Sequence, residues 1–115
     1  MKTIDKLLSE KMMTLVRCNT QEEGQAMADA LVDAGVKIIE ITLTTPGALK
    51  IIEKLLKNKD LLVGAGTVRT VKEVKKVESI GGRFIVSPDT NEDVIEATKK
   101  LKLVSMPGVS TPTEV

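Results

Sequence analysis

Apolar and polar positions along this chain fall into two alternating periods. Short β-branched or alternating runs are each followed by stretches whose apolar residues stand three and four apart. The run Ile38-Ile39-Glu40-Ile41-Thr42-Leu43-Thr44-Thr45-Pro46 shows the change most clearly. It reads as a strand followed at once by a helix start. Alternation sends Ile39, Ile41 and Leu43 to one face and Glu40, Thr42 and Thr44 to the other.

The same unit recurs along the chain. A short helix is expected over residues 3–10, with Ile4, Leu7 and Leu8 on one face, and a strand over Thr14–Cys18. Thr20-Gln21-Glu22-Glu23 reads as a capping box opening a helix with the stripe Met27, Ala30, Leu31 and Ala34, closed by Gly35. Thr45-Pro46 supplies an N-cap and first-turn proline for a helix carrying Ala48, Ile51, Ile52, Leu55 and Leu56. Leu61–Gly66 is a third strand. Thr70-Val71-Lys72-Glu73 caps a helix with Val71, Val74 and Val77 inward, and Gly81-Gly82 ends it. Phe84-Ile85-Val86 is a fourth strand, turning at Ser87-Pro88-Asp89. Thr90 is expected to cap a helix with Val94, Ala97 and Leu101, and Leu103–Met106 is a fifth strand.

Strands thus recur about every 19–24 residues with a helix in each gap, the spacing of βαβ crossovers in a parallel sheet. The fold class is α/β. Two architectures fit: a doubly wound sandwich, or a (β/α) TIM-type barrel. Five strands would complete the former at 115 residues, whereas an eight-stranded barrel needs roughly 200 or more. Thr111-Pro112-Thr113-Glu114 is a further helix-start signature with only Val115 after it. It favours the barrel, with residues 1–115 as the N-terminal portion of one barrel domain, about β1–β5 of eight. Such a half-barrel is expected to leave edge strands unpaired and inward residues such as Leu15 and Val63 exposed, so self-association is expected.

Composition narrows the function classes. With 17 basic and 16 acidic residues the net charge is +1, which gives no electrostatic case for nucleic acid or an anionic membrane. One Phe and no Trp or Tyr leave no platform for stacking bases. The absence of histidine removes the commonest metal ligand and acid–base group. Cys18, the one cysteine, lies in an apolar strand without a histidine partner and reads as packing. No signal-like core or membrane-length run is present, so a cytoplasmic location is expected.

Against that background Glu40 is the chemical outlier. A carboxylate inside a buried strand is costly unless it is paired, hydrogen-bonded or used in chemistry. Near the C-terminal end of its strand, it stands where barrel enzymes keep reactive groups. Gly64-Ala65-Gly66 has no third glycine in phase and no following lysine, so it is not a nucleotide-binding loop. Its glycines read as places for close substrate approach.

Four strings in order, Ile39-Glu40-Ile41-Thr42-Leu43-Thr44, Val63-Gly64-Ala65-Gly66-Thr67-Val68, Phe84-Ile85-Val86-Ser87-Pro88 and Met106-Pro107-Gly108-Val109-Ser110-Thr111, carry a resemblance. Together they resemble the 2-keto-3-deoxy-6-phosphogluconate (KDPG) and 4-hydroxy-2-oxoglutarate (KHG) aldolase family, over its N-terminal half. The resemblance implies class I aldol chemistry: a sixth-strand lysine forms a Schiff base with a 2-oxo acid that yields pyruvate, and no cofactor or metal is needed. It implies that Glu40 shuttles protons, that Arg17 grips a carboxylate or phosphate, that Thr67 holds the pyruvyl carboxylate and that Pro88 walls the pocket.

Two departures stand out. Thr44 occupies a position where some members carry an arginine, so it could donate one hydrogen bond to substrate but no bidentate clamp. The sixth strand and its lysine lie outside this sequence. Lys37 and Lys102 begin strands at the far end from Glu40, and the helix lysines read as solvated faces. The chain alone is therefore expected to be inactive. The expected partners are a small 2-oxo acid and further copies of the chain as a homo-oligomer. A non-catalytic, self-associating half-barrel is the alternative.

Overall fold

The computed structural model describes residues 2–115. Ten elements alternate along the chain: α1 (Thr3–Glu10), β1 (Thr14–Val16), α2 (Gln21–Asp33), β2 (Ile38–Thr42), α3 (Ala48–Leu55), β3 (Leu62–Gly66), α4 (Val71–Ser79), β4 (Phe84–Ser87), α5 (Glu92–Lys100) and β5 (Val104–Pro107). The five strands form one parallel sheet in the order β1-β2-β3-β4-β5. A doubly wound sheet would reverse its strand order part-way. This one does not, and that decides between the two architectures in favour of a barrel sector.

Packing follows from the alternation. Val16, Ile39, Ile41, Val63, Ala65 and Ile85 face the layer of α2–α5 and share a core with Ala28, Ile51, Ile52, Val74, Val77 and Val94. Burying each such Ile or Val side chain stabilises the fold by about 1.5–3 kcal/mol. On the other face, Ile38, Leu62 and Phe84 form a second cluster at the strands' N-terminal ends, with Leu7 of α1 packed on it. Helix α1 thus closes the bottom of the barrel sector, and Lys6 Nζ donates to the Asp60 carbonyl at 2.7 Å to hold it there. Above the cluster the flanks of this inner face stay open: Leu15 on β1 is 56% exposed, and Val86, Val104 and Met106 on β4 and β5 are half-buried.

Several local expectations are corrected. Val63 faces the helices and is fully buried, because it follows inward-facing Leu62 by one residue. The buried face of α2 is Gly24, Ala28, Leu31 and Val32, while Met27, Ala30 and Ala34 are exposed. The reason lies at Gly24, where a Cβ would come within 2.8 Å of Ile51: the helix docks through its glycine, and the stripe turns to follow it. The N-cap of helix α3 is Gly47, in the left-handed conformation, and not Thr45. The Thr45 hydroxyl instead accepts from Cys18 N at 3.2 Å. Helix α5 is capped by Asn91, whose Oδ1 accepts from Val94 N at 3.2 Å, while Thr90 donates to the Gly108 carbonyl at 2.7 Å. The capping box at Thr70 and Glu73 forms in full, and at Thr20 the side chain caps Glu23 N. Residues 111–114 form a turn in which Glu114 accepts from Ser110 N and Thr111 N.

Candidate active site

Strand β2 aligns Glu40 with Leu15 of β1 and Gly64 of β3, on the inner face opposite the helix layer. Glu40 is only 4% exposed. Its side chain leans toward the strand ends and comes to rest over Gly66. A Cβ at Gly66 would overlap Glu40 Oε2 and come 2.5 Å from Cδ. Gly66 is the register partner of Thr42, one inward step above Glu40's own partner. The carboxylate therefore lies near the rim at the C-terminal ends of the strands.

Two other singled-out residues meet at that rim. Arg17 follows β1 directly, Thr67 follows β3 directly, and Arg17 Nη2 donates to Thr67 Oγ1 at 3.0 Å. Thr67 has φ +54°, a left-handed conformation that is an outlier for a β-branched residue and collects at functional turns. Burial pushes the Glu40 carboxyl above the ordinary carboxylate range, and the Arg17 guanidinium offsets part of that rise. No hydrogen bond contributes to the shift. The result is a desolvated acid whose proton is easier to keep, beside an exposed cation, at the open end of the strands. Such a pair can move a proton and attract an anion.

Thr44 and Pro88 stand apart from this group. Strand β2 ends at Thr42, and Thr44 sits in the following turn, exposed, with its hydroxyl 3.0 Å from that of Thr42. It lines a hollow with Gln21, Pro46, Glu73 and Lys76 that none of Glu40, Arg17 or Thr67 lines. Pro88 is exposed beyond β4, two strands from Glu40, and its carbonyl lies against Gly108 after β5.

Sequence reasoning missed what the glycines do. Gly64 admits the Phe84 ring and Gly66 admits Glu40, so both make room for neighbouring side chains within the chain. A glycine facing inward one strand away from a buried acid was the available signal. Fully buried Thr42 also bonds Thr45 at 3.1 Å, and through Thr45 the end of β2 is tied to Cys18 after β1.

A family model described as KDPG and KHG aldolase matches residues 3–115. The chain belongs to the KDPG and KHG aldolase family. It is 36% identical over 109 residues to a probable 2-dehydro-3-deoxy-6-phosphogalactonate aldolase of Rhizobium meliloti, covering 93% of this chain and 51% of that protein. Among solved structures, the KDPG aldolase of Zymomonas mobilis ZM4 with 3-phosphoglycerate superposes with a TM-score of 0.80 at 31% identity. That match covers 90% of this chain and 49% of the other. The KDPG aldolase of Legionella pneumophila, with pyruvate captured as a covalent carbinolamine, superposes with a TM-score of 0.77 at 34% identity, covering 89% and 50%. The chain therefore spans about half the length of these members of the KDPG and KHG aldolase family, and its five parallel strands are a sector of their TIM-type barrel.

Proposed function

We propose that this chain supplies the N-terminal half of a class I aldolase barrel. The barrel cleaves a 2-keto-3-deoxy-6-phosphogluconate-type or 4-hydroxy-2-oxoglutarate-type acid to pyruvate and an aldehyde. The observation that carries the reading is Glu40: a buried inward acid at the strand ends, raised in pKa by desolvation and faced by Arg17. In the proposed reaction a lysine of the other half attacks the keto carbon and forms the imine with loss of water. Glu40 gives the carbinolamine hydroxyl the proton it needs to leave. It then takes the proton of the C4 hydroxyl as the C3–C4 bond breaks and its electrons pass to the imine. The aldehyde departs, the enamine is protonated at C3, and hydrolysis returns pyruvate and the amine.

Arg17 and Thr67 hold a carboxylate or phosphate of the acid at the rim. In this reading Pro88 walls the pocket from the loop after β4, and Thr44, in the turn after β2, offers the substrate one hydrogen bond. We place the reaction in the cytoplasm, where the single half-buried cysteine suits a reducing setting. No helix of the described residues is long and apolar enough to cross a membrane.

Borohydride trapping with pyruvate followed by intact mass tests the reading. The 115-residue chain alone is expected to take up no pyruvate, while its fusion to the C-terminal half of the Rhizobium relative takes up one. A stoichiometric adduct on the chain alone would overturn the division of labour. A second reading, a non-catalytic half-barrel that self-associates, is favoured by the open inner face around Leu15. It would be supported by a native product of this length that assembles and lacks turnover.

A further inference from the structure

We infer that Gly66 is the positioning residue that sets where Glu40 delivers its proton, an inference that deepens the proposed function. Successive inward residues of one strand stand about 6.6 Å apart along it. Glu40 starts on the row shared with Leu15 and Gly64, well inside the sheet. Its carboxylate ends against Gly66, on the next row toward the rim, in space that any Cβ there would occupy. The empty position thus turns an acid rooted in the sheet interior into one that acts at the strand ends. Arg17 and Thr67 meet at that rim, and Thr67 is the residue directly after Gly66.

Gly64 provides an internal contrast. It is inward-facing, on the same strand, and pairs with Glu40 in register, yet the atoms nearest its missing Cβ are the ring and the backbone carbonyl oxygen of Phe84 and not the carboxylate. Alanine at either glycine costs packing. Only alanine at Gly66 should displace Glu40. The two sites therefore separate a positioning role from a general need for small residues in this strand.

The test uses the 115-residue chain and two readouts, neither requiring turnover, so it can fail while the aldolase reading stands. The first is the carboxyl titration of Glu40 by carbon-13 NMR, assigned with Glu40→Gln. Gly66→Ala should bring that titration down to the ordinary carboxylate range, because the displaced side chain regains solvent. The second is a double-mutant cycle on the folding equilibrium. Gly66→Ala should lower it about tenfold or more with Glu40 present and far less in the Glu40→Ala background, a coupling of the size expected for residues in contact. Gly64→Ala should cost the same in both backgrounds. If Gly66→Ala alone fails to fold, folding of the Gly66→Ala/Glu40→Ala pair supports the inference, and its failure to fold overturns it. An unmoved Glu40 titration, or equal costs of Gly66→Ala in both backgrounds, overturns it as well.

Discussion

Arg17 and Thr67 are joined by a 3.0 Å hydrogen bond that links the ends of β1 and β3 across the end of β2. The strand between them is the one that carries Glu40. The bond holds a cation near that carboxyl, and it engages the one rim residue among the three that is forced into a left-handed turn.

Removing the cation should therefore raise the proton affinity of Glu40 further. In Arg17→Met the desolvation of Glu40 remains while the opposing charge is gone, so the Glu40 titration should move to higher pH than in the parent chain. Carbon-13 NMR of the carboxyl reads it directly. A downward or absent shift would mean that Arg17 is too well solvated to act on Glu40.

The pH dependence of stability has a definite sign. Burial raises the folded-state pKa of Glu40 above its unfolded value, so the folded state holds the extra proton between the two. This group's favourable contribution is full below the ordinary carboxylate pKa and is lost as pH rises through the folded value. Urea unfolding of the parent chain and of Glu40→Gln across pH 4–8 should show the parent losing stability relative to the variant over that window. Parallel curves would contradict it.

The barrel-sector fold was legible because its signals are local and repeated: β-branched runs, i/i+4 stripes and capping residues at each helix start. What failed were placements that only neighbours decide. The phase of α2 was hidden because a glycine, Gly24, carries its docking contact. The starts of α3 and α5 moved because Thr45 and Thr90 bond to other loops. Glu40 could be picked out alone, since an acid flanked by isoleucines is odd in any context. Its seat on Gly66 and the Arg17–Thr67 bond could not, because they join strands distant in sequence.

Phe84, the only aromatic residue, should be the most costly single truncation on the inner face. It is fully buried over Gly64, and Phe84→Ala should destabilise the chain by about 3–5 kcal/mol in chemical denaturation. A loss below about 1 kcal/mol would mean the lower cluster is loosely packed.

With the flanks of its inner face open, the 115-residue chain is expected to self-associate. Light scattering over a concentration series should show dimers or larger species, and Leu15→Lys should shift them toward monomer by charging the exposed edge strand of that face. A stable monomer with a sharp melt would show that five strands close a core unaided.

Glu40 is the proposed proton shuttle of a Schiff-base aldolase site, and kinetics on a whole barrel decide whether it fills that role. In the fusion with the C-terminal half of the Rhizobium relative, Glu40→Gln should lower kcat for cleavage of the 2-keto-3-deoxy acid by roughly 10²–10⁴-fold. Pyruvate should still be trapped on the enzyme by borohydride. Undiminished turnover in that variant would show that Glu40 moves no proton in the reaction and is a structural acid.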